Sequence, residues 1–159
     1  MRRFCLALAF AALVFAPVSG GAAFATYANS RFNYTVDYPA DLLVPQPEAE
    51  NGDGRAFNAK TGKAQILVYG SYNALNESPA ELAQRAESDC TGQHAQYRLA
   101  KPKLVAISCT SGESILYQKT MIEGDTLTTL RATYPASERK TWDGVIAAMA
   151  RSLAPAPAE

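Results

Sequence analysis

The stretch AQYRLAKPKLVAISCTSGESILYQKTMIEGDTLTTLRATY, residues 95–134, carries the plainest fold signal in the chain. Four runs rich in β-branched and aromatic residues, 95–101, 103–110, 113–123 and 125–134, read as strands. Lys101-Pro102, Ser111-Gly112 and Gly124-Asp125 punctuate them. Connections this short leave no room for a crossover, so consecutive strands must pair antiparallel. Val105, Ile107 and Cys109 alternate onto one side of the second strand.

Working outward towards the amino terminus, Ser78-Pro79-Ala80-Glu81 is a helix start. Ser78 can cap, Pro79 suits the first helical position and Glu81 completes a capping box. Ala83, Ala86 and Cys90 then fall on one helical face, and Gly92 can end the helix. Arg55 to Ala59 and Lys63 to Ser71 flank Lys60-Thr61-Gly62 and read as a hairpin, whereas Pro45 to Gly54 reads as a loop. Residues 32–38 alternate aromatic or β-branched with polar and end at Pro39, the pattern of a strand.

Towards the carboxyl terminus, Ser137 is the expected cap of an amphipathic helix. Trp142, Val145, Ile146, Met149 and Leu153 line its apolar face. Residues 154–159 read as a disordered Pro/Ala tail. The expected fold is α+β, an antiparallel sheet of about six or seven strands covered by helices.

The chain opens Met1-Arg2-Arg3, followed by an uncharged apolar run from Phe4 to Phe15 and a small-residue exit. These are the three parts of a secretory signal. Ala23-Phe24-Ala25 fits the cleavage pattern, so residues 1–25 are expected to be removed and the mature chain to start at Thr26. The run is shorter than the about 20 residues a spanning helix needs. A single domain, 26–153, follows, and the short Ala-rich signal points to a bacterial periplasm or secretion. Arg2 and Arg3 leave with the signal, so 13 basic residues face 15 acidic ones, a net charge of −2. That balance argues against nucleic acid and anionic membrane surfaces as partners. Cys5 also leaves, and the remaining Cys90 and Cys109 are an expected disulfide of an oxidising compartment.

No catalytic or cofactor signature stands out. His94 is the sole histidine and any histidine-based hydrolase would have to use it, yet it lies just past a helix end, where surface histidines are common. Glu48, Glu50, Asn51 and Asp53 crowd one loop. An EF-hand register with Asp53-Gly54 at positions 5 and 6 puts Ala49 at 1 and Lys60 at 12, so both ends fail, and no metal or cofactor is expected. Asn33-Tyr34-Thr35 and Asn76-Glu77-Ser78 match a glycosylation sequon that carries no meaning in a bacterium. Tyr69, Tyr72, Tyr117 and Tyr134 lie on strands or their ends, where tyrosine serves either core or interface. Tyr69, Tyr72 and Asp53 are the candidate binding residues.

The motif Arg31-Phe32-Asn33-Tyr34-Thr35-Val36-Asp37-Tyr38-Pro39, then hairpin, helix, four-strand meander and closing helix, resembles the PsbP-like sandwich. That sandwich is shared with Mog-type Ran-binding proteins and many exported bacterial proteins. The resemblance covers nearly the whole mature chain in element order and carries over no functional residue. It implies a non-catalytic binding or assembly module whose partner is another envelope or periplasmic protein. A carrier of a lipid or metabolite, with a pocket between sheet and helices, is the alternative. A hydrolase using His94 is the remaining one.

Overall fold

Each of the four strand runs pairs with its neighbour in the computed structural model, which describes residues 23–91 and 95–157. β6 (Tyr97–Lys101), β7 (Leu104–Ser111), β8 (Ser114–Glu123) and β9 (Thr126–Pro135) form an antiparallel meander. The turns β7–β8 and β8–β9 place Gly112 and Gly124 at φ 59° and 60°, a conformation glycine adopts without steric cost. A second meander comprises β3 (Leu43–Glu48), β4 (Gly54–Ala59) and β5 (Gln65–Tyr72). β5 pairs with β9, so the two meanders join into one seven-stranded antiparallel sheet, ordered β3-β4-β5-β9-β8-β7-β6.

A smaller sheet has β2 (Tyr34–Pro39) between β1 (Phe24–Asn29) and β10 (Ala154–Pro155). This sheet and α2 (Arg139–Ser152) cover one face of the large sheet. Phe57, Ile66, Val68, Leu130, Trp142 and Met149 fill the space between, all buried. α1 (Pro79–Glu87) packs on the other face, where Leu82, Ala83 and Ala86 meet Val105, Ile107, Leu116 and Leu127. Cys90 and Cys109 are joined in that second core. The fold is α+β, as expected.

The capping box forms as read: Glu81 N donates to Ser78 Oγ at 3.3 Å, and Ser78 N donates to Glu81 Oε2 at 2.7 Å. These bonds hold the Glu81 carboxyl below its ordinary range. Four elements differ from expectation. Pro45 to Glu48 belongs to β3 rather than to a loop. Pro45 and Pro47 lack the N–H of an inner strand, and β3 accommodates them by lying at the sheet edge with an irregular register between Pro45 and Glu48. Ser137 caps nothing: it sits in a 3₁₀ turn, Ala136–Glu138, and Glu138 turns its carboxylate onto Trp142 Nε1 at 2.8 Å.

The closing segment, expected as a free tail, is held as far as Ala156. Ala154 and Pro155 pair with Thr35 and Tyr34, and Ala156 N donates to Asn33 O at 2.8 Å. The free edge of β2 supplies those partners. β1 was not foreseen, and it begins at Phe24, before the expected cut after Ala25. Residues 1–22, which carry most of the expected signal, lie outside the described residues. Among those described, no helix is long and apolar enough to cross a membrane.

Candidate functional site

α1 packs against β6 and β7 and leaves the β4–β5 side of that face without a covering layer. Alternation along the strands decides what is presented there. Leu67 and Tyr69 of β5 point away from the core-facing Ile66 and Val68, and Thr129 and Arg131 of β9 point away from Leu130. Two recesses result. One is an apolar groove of about 320 Å³ at the sheet edge, lined by Pro47, Ala49, Asp53, Ala56, Leu67 and Tyr69 among others. The second is a polar cleft of about 340 Å³ beneath α1. Tyr69 lines both.

The groove is framed by a stiff loop. Gly70 N donates to Asp53 O at 2.8 Å, and Asn29 Nδ2 donates to Gly52 O at 2.9 Å. Tyr34 Oη shares its proton between Asp53 O and Val68 O, each at 3.1 Å. Asn51 Nδ2 donates to Asp53 Oδ2 at 2.8 Å, a turn bond within the loop. Behind the loop, Tyr27 Oη donates to Glu48 Oε1 at 2.5 Å, and the Arg55 guanidinium lies 4.4 Å from the Tyr27 ring centroid. Burial first, then the Glu48 carboxylate, pushes the Tyr27 hydroxyl above its ordinary range. Burial does the same, more strongly, to Tyr34. Both phenols therefore stay protonated donors throughout the working range of pH.

Tyr34→Phe should cost about 1–2 kcal/mol, because Val68 O and Asp53 O lose their shared buried donor. A urea titration with unchanged slope and a lowered midpoint checks this. A midpoint equal to that of the parent chain would show that the loop does not depend on Tyr34.

Of the candidate binding residues, Tyr69 and Asp53 meet in the apolar groove. Tyr72 does not join them. It lies an odd number of residues from Tyr69 on the same strand, so its ring turns to the opposite face and packs on Phe32 at 5.2 Å. Tyr134 is buried and donates to Asp143 Oδ1 at 2.7 Å, and Tyr117 is half-buried on the α2 side. Trp142 is core. His94 lies outside the described residues. Among the described residues, no three His, Cys, Asp or Glu side chains cluster as metal ligands do.

Sequence reasoning did not find Arg85, Asp89, Gln118, Thr120, Thr129 and Arg131, which line the polar cleft. Strand parity held the available signal: Thr129 and Arg131 share the parity of Leu127, which packs beneath α1.

No family model matches the chain, and no curated protein matches it. A similar solved structure is the solution structure of cyanobacterial PsbP (CyanoP) from Synechocystis sp. PCC 6803. It aligns with a TM-score of 0.61 at 12% identity, covering 90% of this chain and 98% of that one. At that identity the likeness speaks for a PsbP-like fold, and function has to be argued from the site.

Proposed function

We propose that the chain is an exported, non-catalytic binding module of the bacterial envelope, and that it engages a partner protein through the apolar groove beside Tyr69. The observation that carries this reading is the uncovered β4–β5 half of the sheet, where Pro47, Ala56 and Leu67 surround a half-buried tyrosine. Apolar side chains around an aromatic anchor are the composition of an interface centre. The pinned 49–53 loop supports it, since a preformed surface loses less entropy on binding. Export is supported by the signal-like start and by a disulfide that needs oxidising conditions. The partner is a protein presenting an apolar side chain to the groove. A mature chain starting at Thr26 keeps Thr26–Asn29 of β1, all of which pair with β2.

The test places a photo-crosslinking phenylalanine derivative at position 69 and, separately, at exposed Lys140 on α2, in cells exporting the chain. A discrete adduct from position 69, absent from position 140 and abolished by Leu67→Asp, is the expected result. Equal labelling from both positions would overturn the placement.

A further inference from the structure

The polar cleft beneath α1 has a chemistry of its own. Thr120 and Thr129 line it, each only 4% exposed, with hydroxyl oxygens 3.0 Å apart. Gln118 Nε2 donates to Thr120 Oγ1 at 3.4 Å. Two hydroxyls carry two protons, and their mutual bond uses one. The other has no acceptor among the described residues, so the pair keeps a buried O–H donor. A buried donor without a partner is costly, and a ligand acceptor would relieve it.

Two guanidiniums complete the donor set. Arg131 Nη1 bonds Asp89 Oδ2 at 2.5 Å, and Arg85 Nη2 bonds Glu77 at 2.8 Å. Each uses a fraction of its five N–H groups. Each guanidinium is thus matched by one carboxylate, and what the cleft offers a ligand is the set of N–H groups on Arg85 and Arg131 that those pairs leave free. Leu82, Ala86 and Leu127 give it an apolar wall. Its volume of about 340 Å³ falls at the small end of ligand pockets.

We infer that this cleft binds a small organic monocarboxylate. The carboxylate pairs with Arg131 and Arg85 and accepts the spare threonine proton, and the hydrocarbon body rests on Leu82, Ala86 and Leu127. Asp89 occupies Arg131 in the empty cleft and competes with the ligand for it. The assignment is independent of the apolar groove.

The disulfide-bonded chain is titrated with sodium benzoate and sodium butyrate, with benzyl alcohol as the neutral control, and followed by amide proton–nitrogen NMR. Saturable shifts at Gln118–Thr120 and Leu127–Arg131 with the acids, and none with the alcohol, are expected. Arg131→Gln and the near-isosteric Thr129→Val should each weaken binding about tenfold, the loss of a hydrogen bond to a charged group. Asp89→Asn should tighten it several-fold, an effect that damage to the fold would not produce. Leu67→Asp should leave acid binding unchanged, which separates this site from the protein-binding groove. Alcohol binding equal to that of the acids, no saturable shift with either acid, or weaker binding in Asp89→Asn would each overturn the assignment. So would binding of a tripeptide through its free terminal carboxylate, lost in the terminal amide, where neither small acid binds.

Discussion

Gly54→Ala is expected to destabilise the domain by roughly 3 kcal/mol or more, the largest effect of any single methyl group considered for this chain. A Cβ at Gly54 would lie 2.0 Å from Val68 O, 2.7 Å from Tyr69 Cα and 2.9 Å from Tyr34 Oη. Two of these atoms are backbone of the adjacent strand, so β4 must move away from β5 to admit the methyl. That displacement would strain the Tyr34 bonds to Asp53 O and Val68 O and disturb the floor of the apolar groove.

Gly70→Ala is the instructive neighbour. Its Cβ would lie 2.1 Å from Phe32 Cγ and 2.4 Å from Phe32 Cβ, so ring rotation alone cannot relieve it and the backbone at Phe32 must shift. Phe32 sits in the turn between β1 and β2 rather than in a paired strand, so a smaller loss than at Gly54 is expected. Gly112→Ala and Gly124→Ala meet nothing within 4 Å and should lose only about 1 kcal/mol through their positive φ. Guanidinium unfolding of the four variants should order them Gly54, then Gly70, then the two turn glycines. A Gly54→Ala midpoint equal to that of Gly124→Ala would show that the β4–β5 contact yields freely.

The paired Cys90→Ser, Cys109→Ser variant should lose roughly 3 kcal/mol, the chain-entropy value for a loop of this size. The two cysteines are 19 residues apart, with Cα atoms separated by 6.0 Å. The midpoint of thermal unfolding should fall by about 10 °C for a domain of this length. The loss should concentrate at α1. That helix sits over a separate, smaller core, and its polar tethers, which include Arg98 to Glu87 and to Ala80 O and Arg131 to Asp89, are exposed contacts of little worth. Hydrogen exchange should therefore quicken first at Leu82–Ala86 and later in β8 and β9. The same variant should weaken carboxylate binding in the cleft, which α1 roofs, and spare the apolar groove. Coincident melting curves for parent and variant would show that the second core holds α1 unaided.

Much of this architecture is local and therefore readable. Period-2 alternation marked β6 to β9, and connections too short for a crossover, two of them glycine turns, made them antiparallel. Ser78 and Glu81 satisfy each other across three residues, so the start of α1 is written in four letters. The apolar stripe from Trp142 to Leu153 defined α2 because side chains one helical turn apart must share a face. The half-cystines could be paired because one lay on the inner face of a predicted helix and the other on the inner face of a predicted strand.

The candidate site was legible only in part. Parity placed Tyr69 on one face and, applied to Tyr72, would have put it on the other. The sequence by itself determined which side of each strand a residue occupies and which strands are sequential neighbours, since both follow from backbone geometry and connection length. Only the tertiary structure decided that β5 pairs with β9, that β2 takes up the closing segment at its edge, and that α1 covers just one half of its face. Those choices depend on how total apolar burial is shared among elements far apart in the chain, a quantity no local pattern encodes, and they leave Tyr69 uncovered and set Arg131 beside Asp89.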